Sequence, residues 1–85
     1  MNKNELIAEF MGLEYQPFLL FDTNWSWLML VVAKIETHLN IHVMIEYRIC
    51  RIFRFTDVII SHYDETKIGA VYGAVVKYIE SLKND

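Results

Sequence analysis

The hydrophobic period of this chain changes twice, and that restricts the folds open to it. From Ile41, apolar side chains fall on every second position: Ile41, Val43, Ile45, Tyr47, Ile49, Phe53 and Phe55 share one parity. His42, Met44, Glu46, Arg48 and Arg54 share the other. That is a strand pattern. On either side the period is helical. Trp25 to Leu39 contains neither Gly nor Pro and reads as a helix that Asn40 can end. Further on, Ile68, Val71, Tyr72, Val75, Ile79 and Leu82 mark the core face of a helix from Lys67 to about Leu82, capped by Asp64-Glu65-Thr66. Helices before and after a block of strands indicate an α+β domain.

A single strand over 41–55 would be about 50 Å long, whereas strands commonly run about 5–6 residues. A hairpin is therefore expected, broken near Glu46-Tyr47-Arg48 although no Asn-Gly or Asp-Gly marks a turn. A shared parity through the segment would point Phe53 and Phe55 inward. Asp57 opens a further strand, Val58-Ile59-Ile60, ending at Ser61-His62.

The N-terminal part supplies two more elements. Asn4 and Gly12 bracket a short amphipathic helix, Glu5 to Met11, with Leu6, Ile7, Phe10 and Met11 inward. Phe18-Leu19-Leu20-Phe21, just after the only proline, Pro17, is an apolar run of strand length. Asp22-Thr23-Asn24 then offers capping oxygens to the next helix. The expected order is α-β-α-β-β-β-α, with a small, mainly antiparallel sheet of three or four strands packed by three helices. Residues 1–85 form one domain, since a chain of 85 residues falls below the roughly 100–200 residues at which chains divide.

Composition excludes several classes. With 54% apolar residues and a net charge of only −3, the chain is not a disordered tail. Eight Lys and Arg against eleven Asp and Glu give no general attraction to phosphate backbones or anionic membranes. The only basic stretch is 41–56, where Arg48, Arg51 and Arg54 against Glu46 leave +2. One cysteine, Cys50, cannot close a bridge within the chain, which suggests a reducing, cytoplasmic setting. The start lacks a signal-peptide pattern. Phe18 to Ala33 is interrupted by Asp22, Thr23, Asn24 and Ser26, so it reads as a deeply buried helix rather than as the roughly 20-residue span a membrane requires.

No catalytic, metal or cofactor motif emerges. His38 and His42 are four apart, but Asn40 separates a helix end from a strand start, so the helical metal pairing is lost. His42, Cys50 and His62 could hold zinc only if the sheet gathered them. Cys50, Ser26, Ser61 and Ser81 lack a nucleophile elbow, and no glycine-rich loop offers an oxyanion or phosphate cradle. His62-Tyr63-Asp64-Glu65 collects titratable groups before a helix, although capping accounts for both acids. Two other features remain. Tyr47 to Phe55 interleaves arginines with aromatics, a pattern that binds single-stranded nucleic acid through Arg48, Arg51 and Arg54. Gly69 and Gly73 lie one turn apart within a helix, each costing about 1 kcal/mol relative to alanine. They mark either the close approach of another backbone, such as a subunit contact, or two tolerated exposed positions.

Three stretches carry a family resemblance: Leu6 to Gly12, Trp25 to Glu36, and Thr66 to Val76. Together they resemble a group of small uncharacterised proteins from Bacteroidetes and their phages, and more distantly the phage domains called ABA sandwiches. The chain departs from the group at Ser26, Leu30, Ala33, Gly69 and Gly73, where the group carries Asp, Pro, Glu, Glu and Asn. The resemblance implies a fold and a phage or bacterial setting, with no activity attached.

The sequence thus predicts a cytoplasmic, non-enzymatic accessory or regulatory protein that acts by binding. Apolar residues in excess of what so short a chain can hide predict a homo-oligomer, most simply a symmetric dimer. Trp25, Trp27, Gly69 and Gly73 are the expected interface residues. Nucleic-acid binding through the three arginines is the alternative. No cofactor, metal or membrane is expected.

Overall fold

A computed structural model describes residues 1–83. It has three helices, α1 (Lys3–Phe10), α2 (Trp25–Ile35) and α3 (Lys67–Lys83). The strands are β1 (Ile41–Glu46), β2 (Ile49–Arg54) and β3 (Asp57–Tyr63). They form an antiparallel meander in the order β1-β2-β3. The α+β class follows as expected.

The run Phe18 to Phe21 is not a strand, and the element order is α-α-β-β-β-α. Its backbone makes local turns instead. The Leu19 amide donates to the Gln16 carbonyl, and the Thr23 and Asn24 amides both donate to the Leu20 carbonyl. A strand here would need a free sheet edge, and the edge of β1 is already occupied. There the Ile41 amide donates to the His38 carbonyl at 3.2 Å, and the Val43 amide donates to Glu36 Oε2 at 3.0 Å. Only Phe21 of the run is fully buried, and Phe18 is 63% exposed.

Helix boundaries shift for identifiable reasons. Asn2, not Asn4, is the N-cap of α1. Its side chain accepts from the Glu5 amide at 2.8 Å while Glu5 Oε1 accepts from the Asn2 amide, a reciprocal capping box. Asn4 is thereby free to donate to Asp22 and to accept from the Tyr72 hydroxyl. Gly12 follows α1 at φ +72, the left-handed conformation that ends helices. Helix α2 stops at Ile35, short of Leu39. The Thr37 and His38 amides bond three residues back, to Lys34 and Ile35, and tighten the chain into turns.

The strand block breaks where expected, with Tyr47-Arg48 as the turn between β1 and β2. Tyr47 supplies the left-handed residue at φ 58 that an Asn or Gly would usually provide. This two-residue turn inverts the parity. The core face takes Ile41, Val43 and Ile45 from β1 but Cys50 and Ile52 from β2, since Val43 pairs with Ile52 and Ile45 with Cys50. Phe53 therefore points away from the core, and Phe55 is an exposed turn residue at φ 57. The inward placement expected for both is wrong. A bulge in β3 skips Ile59 between the Ile52–Ile60 and Phe53–Val58 pairs.

The core lies between one face of the sheet and the helices. Helix α3 crosses β2 and β3, α2 lies against α3 and β1, and α1 packs on α3. Ala70, Val71, Ala74, Val75, Tyr78 and Ile79 of α3 are all buried, whereas Leu82 remains partly exposed. Among the described residues no helix lies over the opposite sheet face.

Candidate functional site

The residues singled out in the sequence fall into three places. The first is the open sheet face. His42 and Phe53, directly paired across β1 and β2, stack at 4.8 Å with an interplanar angle of 2°. Met44, Arg51 and Tyr63 share this face by register. The arginines do not converge on it. Arg51 lies there but has Glu46 at 3.9 Å, Arg48 sits in the hairpin turn, and Arg54 lies on the opposite side, beside Ser81 and Leu82 near the end of α3. The same inversion parts the residues weighed as a zinc site. His42 is on the open face, while Cys50 and His62 are paired on the covered one.

The second place joins two features that were separate in the sequence. His62 lies across Gly73 and Asp64 across Gly69, lining a groove of about 290 Å³ with Tyr72, Lys77 and Lys3. A Cβ on Gly73 would overlap the His62 ring, and one on Gly69 would overlap the Asp64 carboxylate. The close approach these glycines permit is thus made by side chains of this chain rather than by another backbone. Asp64 accepts from the Thr66 amide and hydroxyl at 3.1 Å each, and these bonds hold its carboxyl below the usual carboxylate range. Thr66 Oγ1 in turn accepts from the Gly69 amide and caps α3.

Burial, then the charges of Lys77 and Lys3, push the imidazole pKa of His62 down, against an opposing pull from Asp64. Glu80 and the Tyr72 hydroxyl complete the titratable groups around the groove. The fold therefore favours neutral His62. Its contribution to stability is complete above the unfolded-state histidine value of about 6.5 and is lost as pH falls through the lower folded value. We expect the thermal midpoint to drop between pH 7 and pH 5, and His62→Asn to reduce that drop. An unchanged profile in the variant would exclude His62 as the sensing group.

The third place was only half visible in the sequence. Helix α2 presents Ser26, Met29, Leu30 and Ala33 to solvent on one stripe, without a charge among them. Leu30, 61% exposed, rims an apolar groove of about 160 Å³ with Leu13, Leu19, Phe21 and Trp27. Trp27 is half-buried against Phe21 at 6.1 Å, and Trp25, at the start of the helix, is 39% exposed. Leu13, Phe18 and Leu20 add further exposed apolar side chains in the segment leading to α2. The sequence reads this segment as a deeply buried helix, since apart from Ser26 the first half of α2 is apolar. The structure encloses the inner sides and leaves this stripe open.

Other reactive groups are engaged. His38 Nδ1 and the Tyr78 hydroxyl share a 2.6 Å hydrogen bond. Cys50 is buried, with its thiol pushed up to about 11 by desolvation. Among the described residues no three His, Cys, Asp or Glu side chains are grouped to hold a metal, and no helix is long and apolar enough to cross a membrane. No protein-family model, curated protein or solved structure matches this chain.

Proposed function

We propose that this chain is a non-enzymatic binding module, an accessory or regulatory protein of a phage or bacterial cytoplasm that works as a homo-oligomer. The observation carrying this reading is the apolar side formed by α2 and the segment before it, where Leu13, Phe18, Leu20, Met29 and Leu30 are all exposed. Exposed apolar side chains gathered on one element and its approach are the kind of surface that marks association sites. A catalytic role finds less support. Desolvation disfavours the Cys50 thiolate, Asp64 is occupied by capping bonds, and His42 is stacked on Phe53. The test is light scattering across the micromolar range in which modest dimers dissociate. A mass that is a multiple of 10.1 kDa is expected, and 10.1 kDa at every concentration would overturn the oligomeric reading.

A second reading, single-stranded nucleic-acid binding, draws on the outward placement of Phe53 and Tyr63 beside Arg51. Its weakness is the dispersal of the arginines. A phosphate-tracking surface loses affinity steeply with salt. On this reading, replacing Arg48, Arg51 and Arg54 together with alanine lowers the salt needed to elute the protein from heparin. An unchanged elution position would eliminate it.

A further inference from the structure

The exposed stripe of α2 repeats itself when read backwards: small Ser26, large Met29, large Leu30, small Ala33. The geometry points to a second copy of this chain as its occupant, with the two α2 helices antiparallel across a two-fold axis passing between Met29 and Leu30. This rests on the binding-module reading and specifies its partner and contact. An isologous interface needs a surface complementary to itself, and a palindromic stripe meets that condition. Across the axis, Met29 and Leu30 each lie beside their own copies, and Ser26 lies opposite Ala33 of the partner subunit. The small residues at both ends let the helix axes approach to the roughly 8–10 Å of packed helices.

Charge and edges favour the same partner. No charged side chain lies on the stripe from Ser26 to Ala33, so juxtaposing two identical stripes sets no like charges against each other. Both sheet edges are protected against strand addition. The Ile41 and Val43 amides of β1 are taken by His38 and Glu36, while β3 carries a bulge and has Lys77 Nζ over the Ser61 carbonyl at 3.4 Å. Pairing through a helical face avoids both edges. An 11-residue helix cannot alone bury the ~800 Å² per partner of a standard interface. The adjoining Leu13 and Leu19 would extend the contact, with the second Leu30 meeting the groove that they line with Trp27.

Cysteine pairing tests the arrangement. Ser26, Leu30 and Ala33 are exposed, so single cysteines there leave the core intact, and buried Cys50 does not compete. Under mild oxidation Leu30→Cys should link to itself. Ser26→Cys and Ala33→Cys should link poorly alone and efficiently when mixed. Leu30→Glu should weaken self-association by at least ~30-fold, as expected for a central contact residue. Self-linking of Ser26→Cys, or a dimer untouched by Leu30→Glu, would overturn the helix pairing while leaving the oligomeric reading intact. A mass of 10.1 kDa at all concentrations would overturn both.

Discussion

Ile52→Ala is expected to cost about 2–5 kcal/mol, the range for deleting most of a buried aliphatic side chain. Ile52 is fully buried, at the centre of the covered sheet face between Val43 and Ile60. Helix α3 packs directly over that strand, so the vacated volume cannot be filled without moving both layers. In a domain whose total stability is about 5–15 kcal/mol, the loss amounts to a large part of the whole. The thermal midpoint should fall by ~10 °C or more, at roughly 4–8 °C per kcal/mol for a chain of this size. The informative control is its neighbour. Phe53 is the larger residue, but it lies half-buried on the open sheet face, where it stacks on His42. Phe53→Ala should cost less, about 1–2.5 kcal/mol, from the aromatic pair together with the partial burial of its ring. If Phe53→Ala proved the more damaging of the two, the parity of β2 in this fold would be wrong.

That pair of variants also shows where the sequence was legible and where it was not. The change of period at Ile41 and its return by Lys67 located the strand block and the last helix, because alternation and helical spacing are properties of the chain alone. The hairpin break was visible through strand length. Its effect on facing was not, since a two-residue turn exchanges the parities and Tyr47-Arg48 carries none of the usual turn residues. Phe18 to Phe21 failed for a tertiary reason. An apolar run becomes a strand only beside an open edge, and Glu36 and His38 had taken the edge of β1. The exposed stripe of α2 was hidden because an apolar position looks the same whether a neighbour covers it or not. Of the expected interface residues, Trp25 and Trp27 border that exposed side. Gly69 and Gly73 lie beneath Asp64 and His62, a pairing the sequence separates by several residues in each case.

Those glycines give the second large effect. Gly73→Val should destabilise by about 1–3 kcal/mol, the usual cost of forcing extra volume into an occupied space. Even the first added carbon would overlap the His62 ring. The overlap reaches back to Cγ, the root of the His62 ring, so the ring as a whole must leave its seat on α3 to admit the new side chain. Helix propensity acts in the opposite sense, since alanine is better than glycine in a helix interior by about 1 kcal/mol. The two effects separate in a double-mutant cycle. With His62 present, the gain in Gly73→Ala should be reduced or reversed by the overlap. In the His62→Ala background, where that ring is gone, Gly73→Ala should stabilise by about 1 kcal/mol. Chemical denaturation of the four proteins measures the coupling. If Gly73→Ala had the same effect in both backgrounds, the glycine would not be there to receive the histidine, and a contact with another chain would again be the better reason for it.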